Sequence, residues 1–376
     1  MKKFLAILLV LALAFSFAAC KKTEPAPTPD EGATPPEAPK YKVCNVVNGN
    51  LGDKSFFDSA EAGLQELKAA GRIELETKEL GGTDADRPKW ESTVNDIAAA
   101  GEYDYIVVST WQMPEIVKAA AEKYPEQKFI YYDYYDDVIG ALKNVCCIEY
   151  AQNQMGYMMG VFAAMMTSKT DIEGINADKV VGFVGGGDQP VINDFLYGFL
   201  EGVKATDPEV KVDTRYTESF VDTGKGKELA LAMVNDNKAD IVWGVAGGAG
   251  NGGVESAVET KTWFIGVDSD QELTLPADQA ARTLTSGLKN CGASLVWFFD
   301  ELDAGKEHLG EHVRLDLTNN GVGIVTDKNF AKIAPQDVQD AVKAAEAGLK
   351  DGTIKVSTAI GDETNGVVTL RDTMKP

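Results

Sequence analysis

Three aspartates follow short apolar runs: Asp53 comes shortly after 41–47, Asp133 after 129–132, and Asp268 after 264–267. Ionised carboxylates only accept hydrogen bonds. A converging set of them suits a ligand rich in N–H and O–H donors, such as a base or a sugar. Aromatic residues stand near these positions, namely Phe56, Trp111 and Trp243. Flat rings with a few placed polar groups are the usual lining of a small-molecule pocket. Each aspartate taken alone also fits the simpler role of a helix cap.

Other chemistries find little support. The chain has two histidines, His308 and His312. Four apart, they could share a helix face as metal ligands, but Gly310 weakens that helix and no third ligand is evident, so no metal site is expected. Neither histidine has the neighbours that an activated serine or cysteine nucleophile requires. Two glycine-rich turns follow apolar runs, at 185–187 and 247–253. The second contains a loose GxGxxG (Gly248, Gly250, Gly253), with Asp268 as the acidic residue a dinucleotide fold would need. No Gly-Lys-Ser/Thr phosphate loop is present. Both turns are expected to be tight strand-to-helix corners, and no cofactor is expected.

The elements that position these residues alternate in type. Residues 41–47 alternate like a first strand, and the stretch from Asn48 to Asp58 leads into a helix with Ala60, Leu64 and Leu67 on one face. Phe56 and Phe57 lie on either side of that stripe, so periodicity leaves open which ring enters the core. Strands are expected at 73–80, 105–109 and 128–133, with helices at 87–100 and 114–123 between them. A second run of the same kind starts after Asn144. Its first helix, 155–166, is apolar nearly all round, with Gly156 and Gly160 four apart. That pattern predicts a buried helix that lets a neighbour approach closely. Strands at 180–184, 210–216, 241–246 and 263–267 follow, then an apolar helix at 288–302 and an amphipathic one at 335–349. The rhythm predicts parallel sheets covered on both faces, arranged as two α/β lobes facing across a cleft.

The N-terminus has an address. Met1-Lys2-Lys3 precedes an apolar run, 4–19, that is short for a bilayer span and ends in small residues, as a secretory signal does. Cys20 follows, and the stretch resembles the lipobox of bacterial lipoproteins, with Phe17 where leucine is usual. Residues 21–40 are rich in Pro, Ala, Glu and Thr and too poor in apolar side chains to fold, so they predict an extended tether. About 335 residues then remain for two domains. The net charge of −22 argues against nucleic-acid polymers as partners. Cys44, Cys146, Cys147 and Cys291 lack metal spacing and are expected to be buried free thiols.

Several stretches together resemble the basic membrane lipoprotein family, the nucleoside-binding lipoproteins of ABC importers. They are Gly49 with Asp53-Lys54-Ser55-Phe56, then Lys123-Tyr124-Pro125 with Lys128-Phe129 and Asp133, and Asn144-Val145. They continue through Gly156 to Ala164, 181–186 with Pro190-Val191-Ile192, Ala246-Gly247-Gly248, 266–271 and 284–289. The resemblance implies two Rossmann-like lobes of the type I periplasmic-binding-protein fold, joined by a hinge of three crossovers and without catalysis. It implies a lipid-anchored monomer at the extracytoplasmic face of the cell membrane, modified at Cys20, that passes a nucleoside to an ABC permease. Phe56 and Trp243 would be rings against the base, and Asp133 a base or cleft acceptor. Asp268, Lys289 and Gly248 would hold the ribose, with Asn48, Asp53, Trp111 and Gly247 completing the ligand site. The implied ligand is a purine nucleoside. Val46 and Val47 stand where the family commonly has Thr-Asp, and this leaves a pyrimidine nucleoside or another small aromatic ligand open. The division expected is a signal peptide at 1–19 and a tether at 20–40. An N-terminal lobe would take 41–143 plus 283–318, and a C-terminal lobe 144–282 plus 319–376. The competing class is a surface adhesin or sensor of the same fold.

Overall fold

A computed structural model describes residues 41–134, 136–361 and 365–376. The signal run, Cys20 and the tether lie outside the described residues. Twelve strands form in chain order: β1 (Tyr41–Val47), β2 (Ile73–Glu79), β3 (Tyr105–Ser109), β4 (Lys128–Tyr132), β5 (Val145–Tyr150), β6 (Val180–Gly185), β7 (Lys211–Tyr216), β8 (Ile241–Val245), β9 (Trp263–Asp268), β10 (Thr283–Lys289), β11 (His312–Leu315) and β12 (Val322–Ile324). They make two six-stranded sheets, ordered β11-β5-β4-β3-β1-β2 and β12-β10-β9-β8-β6-β7. All pairs are parallel except β10 with β12. The central strands β3, β5, β6 and β8 are buried along their whole length, as strands covered on both faces must be.

The lobe boundaries differ from those expected. β5 pairs with β4, Val145 opposite Phe129, so 145–150 belongs to the first lobe. β10 pairs with β9, so 283–289 belongs to the second. The apolar run after Asn144 is a strand of the first sheet, between β4 and β11, rather than the first strand of the next. The expected helix at 288–302 also begins later: Leu288 and Lys289 finish β10, and the helix is Cys291–Asp303. The described chain crosses between lobes three times, after β5, after β10 and between β11 and β12.

The second lobe's core is knitted by helices Gln152–Met166 and Pro190–Thr206. Their glycines are reciprocal. A Cβ at Gly156 would lie 2.3 Å from the Phe195 carbonyl oxygen, and one at Gly198 would lie 1.9 Å from that of Asn153. The helices approach backbone to backbone, which accounts for the Gly156/Gly160 spacing. The four cysteines are free and buried, with Cys146 and Cys147 in separate cores on opposite faces of β5. No helix among the described residues is long and apolar enough to cross a membrane.

Asp240, just before β8, is a buried carboxylate. It accepts from the Thr167 hydroxyl at 2.8 and 3.0 Å and from the Asn176 N–H at 3.1 Å. Burial pushes its carboxyl up to about 7, against these hydrogen bonds. Such a group binds a proton in the folded state at pH values where the unfolded chain has released it, so stability should rise as pH falls from 8 towards 5. An asparagine can accept from the Asn176 N–H and donate to Thr167 Oγ1. Asp240→Asn is therefore expected to raise the melting temperature at pH 8, by ~2–4 °C per kcal/mol of relieved penalty. The gain should shrink towards zero at pH 5, as scanning calorimetry at the two pH values would show.

Candidate functional site

A cavity of about 220 Å³ lies between the lobes. It sits at the carboxyl ends of β1, β3 and β4 on one side and β8, β9 and β10 on the other, where open α/β sheets bind ligands. The strand order makes β4 and β9 equivalent in the two sheets. Asp133 follows the first and Asp268 ends the second, at φ 67° and 66°. Positive φ is tolerated by aspartate better than by most residues, and here it turns both carboxyls at the strand ends towards one place.

Lys289, at the end of β10, lies between them. Its Nζ donates to Asp133 Oδ1 at 2.6 Å and stands 3.9 Å from Asp268 Oδ1. The rings of Phe56 and Phe195 have their centres 4.8 and 4.9 Å from the ammonium. All three charged side chains are buried. Burial pushes Asp133 up to about 6 in spite of Lys289, and it raises Asp268 as well. Lys289 is itself raised, because the two carboxylates outweigh its desolvation. Two buried carboxyl groups around a single ammonium make a poor host for an anion and a good one for hydroxyls. One lysine N–H faces Asp133, which leaves donors over, while Asp268 Oδ1 has no hydrogen-bond partner.

Asp53 lines the cavity, but its oxygens are already used. They accept from the backbone N–H groups of Phe57, Ser55 and Asp58 at 2.9–3.1 Å, capping helix Phe56–Ala69. Burial pushes Asp53 up to about 6 against these bonds. Ser55 donates to Asp268 Oδ2 at 2.7 Å, Ser269 to the Lys54 carbonyl at 2.8 Å, and Asn251 to the Asp53 carbonyl at 2.9 Å. These bonds, with Lys289–Asp133, fasten the two lobes together beside the cavity.

The aromatic residues fall differently from the sequence expectation. Phe56 lines the cavity and stacks on Tyr132 at 5.3 Å, with Phe57 edge-on at 5.0 Å. Phe57 is the more exposed ring, seated against Gly49. Trp111 lines the cavity. Trp243 does not: it is fully buried among Phe183, Phe195 and Phe199, and its Nε1 donates to the Gly266 carbonyl. The inward alternation of β8 sends its ring into the second lobe's core, so its expected contact with the ligand is corrected here. The half-buried ring that the second lobe brings to the cavity is Phe220, which sequence reasoning missed. A Cβ on Gly186 would fall 2.3 Å from that ring. The glycine turn after β6 therefore makes room for an aromatic wall, the one cue the sequence offered.

Gly247 and Gly248 line the cavity as the first residues of helix Gly247–Thr260. Further glycines in that run let this helix press on helix Thr223–Asn237, where a Cβ at Gly252 would meet Lys227 N at 2.2 Å. Packing explains the glycine-rich run without a dinucleotide. The histidines share no helix: His308 precedes β11 and packs against Trp297 with the rings tilted by 45°, with Glu311 on its Nδ1, while His312 opens β11 and pairs with Glu149. Among the described residues no cluster of three or more His, Cys, Asp or Glu could hold a metal ion.

Asn48, at the turn after β1, is 2% exposed and lines the cavity. Its Nδ2 donates to Thr110 Oγ1 at 2.8 Å and lies 3.4 Å from Gln112 Oε1. Val47 beside it is in the first lobe's core.

A family model described as "ABC transporter substrate-binding protein PnrA-like" matches residues 40–357. The chain is 30% identical over 330 residues to the ABC transporter nucleoside-binding protein BmpA of Lactococcus lactis subsp. cremoris, a match covering 84% of this chain and 88% of that one. It is 28% identical over 324 residues to basic membrane protein A of Borreliella burgdorferi, covering 85% and 86%. Its fold is similar to that of a solute-binding protein of an ABC transporter system from Aeropyrum pernix, with a TM-score of 0.73 at 23% identity over 89% of this chain and 98% of that one.

Proposed function

Since the chain belongs to the PnrA-like family of ABC transporter substrate-binding proteins, we propose that it captures a nucleoside in the interlobe cleft for a membrane permease. The observation that carries this reading is the pairing of wall types around one cavity. Phe57 and Phe220 offer rings from opposite lobes, while Asp268 and Lys289 offer an unused acceptor and spare donors. A flat base suits the first pair. Ribose hydroxyls, which both donate and accept, suit the second.

Binding and motion are coupled in this reading. Asn48 and Asp133 belong to the first lobe and Asp268, Lys289 and Phe220 to the second, so a ligand touching both favours the closed arrangement. The closed form is the one a permease would recognise. Lipidation at Cys20, with residues 21–40 as tether, would hold the protein at the outer face of the cell membrane. No catalysis is part of the proposal.

Calorimetry of the purified protein against purine and pyrimidine nucleosides tests it. Nucleosides should bind and be recovered unchanged. Their 5′-monophosphates should bind at least ~10-fold more weakly, because the phosphate brings negative charge to a site that sets two carboxyl groups against one ammonium. Silence across the nucleoside panel would refute the assignment.

A further inference from the structure

Among the described residues, two cavity-lining side chains hold a buried polar atom with no hydrogen-bond partner: Asp268 Oδ1 and Asn48 Oδ1. Asp268 sits beside Lys289 on the second lobe. Asn48 is on the first, with Thr110 and Gln112 for neighbours. An acceptor left unpaired away from water destabilises the fold, and a bound group that donates to it recovers that loss.

Taking the nucleoside reading as its basis, we propose that Asn48 is the base-reading residue: its Oδ1 accepts a hydrogen bond from an N–H on the edge of the base. It thereby selects bases that carry a ring N–H or an exocyclic amine.

The side chain is held for this. Its Nδ2 end lies between two oxygens, Thr110 Oγ1 and Gln112 Oε1. Both neighbours accept from Nδ2, which leaves Oδ1 turned away from them. Thr110 is a β-branched residue at φ 73°, a conformation that costs energy. It is kept there by three bonds. Its N–H donates to the Tyr132 carbonyl at 3.3 Å, and its own carbonyl accepts from Tyr131 Oη at 2.6 Å and from the Met113 N–H at 3.2 Å. Thr110 is thus a positioning residue that aims the amide. In the closed arrangement Oδ1 is sealed from solvent, so the donor must reach it as the lobes close over the ligand. A buried acceptor of that kind discriminates strongly, since a ligand without the donor leaves it unpaired.

The test is a ligand–protein cycle read by calorimetry. Purine riboside has the sugar and ring system of inosine but no N–H on its base, and pyrimidin-2-one riboside stands in the same relation to cytidine and uridine. The wild-type protein should bind the donor-bearing nucleoside ~10–100-fold more tightly than its donor-free partner. Asn48→Leu should bind both members of each pair equally, at or below the donor-free level. Asn48→Asp, which keeps an acceptor, should restore the preference. Equal affinity of the wild type for both members of each pair would overturn the proposal without any variant being made. So would an Asn48→Leu protein, folded by its melting curve, that still discriminates. Failure to bind any nucleoside would remove the functional reading and this inference together, whereas binding without discrimination would remove this inference alone.

Discussion

Lys289→Met should convert closure of the two lobes into an acid-dependent process. The ammonium lies between Asp133 Oδ1 and Asp268 Oδ1, at 2.6 and 3.9 Å, with all three groups buried. Methionine fills a similar volume among Phe56 and Phe195 but leaves two carboxylates facing each other out of water. Removing one partner of a buried charge pair typically costs ~3–5 kcal/mol. Opening the lobes rehydrates both carboxylates, so the loss should fall on the closed arrangement before it falls on the fold. At pH 8 we expect ligand affinity to drop by more than ~100-fold, the counterpart of that cost, and small-angle scattering to report a larger radius of gyration. The pH dependence has a definite sign. Burial already holds Asp133 near 6 with the lysine present, and without it the carboxyl moves further up. Protonation as pH falls through that range removes the repulsion, so closure should recover at pH 5. Unchanged affinity at pH 8, or no recovery on acidification, would show that the lysine does not govern closure.

Asp268→Asn should cost affinity without costing the fold. Oδ1 of this residue has no hydrogen-bond partner, only Lys289 Nζ at 3.9 Å, and Oδ2 accepts from Ser55. At φ 66° asparagine is well tolerated, whereas alanine adds ~1–2 kcal/mol of backbone strain. The asparagine variant is therefore the cleaner probe. Loss of a charged acceptor for a ligand hydroxyl should weaken binding ~10–100-fold. The melting temperature at pH 7 should hold or rise, since burial disfavours the carboxylate that is removed. Wild-type affinity in this variant would remove Asp268 from the ligand site.

The places where sequence and structure agree or part have physical reasons. Asp133 and Asp268 were legible because each ends an apolar run, and strand ends share an edge of the sheet. Trp243 was not, because β8 is buried on both faces and its apolar residues carry no alternation to say which side a ring takes. Phe220 lies in the loop between β7 and helix Thr223–Asn237, where no period exists. Its place depends on the missing side chain of Gly186, a contact between residues more than thirty positions apart. Asp53 showed both of its possible roles in sequence, and the three N–H groups it caps decide for the structural one. The boundary at Lys289 was lost because Leu288, Cys291 and Leu295 keep a helical spacing across the polar pair Lys289-Asn290, which drew Leu288 into the apolar helix that follows. That error hid the fact that Lys289 is a strand-end residue, the position from which it reaches across the cleft.

The matched order of the two sheets has one further consequence. β4 leads into and β9 ends on an aspartate of nearly the same φ, but their neighbours β5 and β10 do not match in this way. Lys289 ends β10, whereas Tyr150 ends β5 and shares a hydrogen bond with Ser294 inside the protein. A cleft built from two such similar halves would greet a molecule the same way whichever end entered first. The single cation breaks that equivalence and gives the passage a head and a tail.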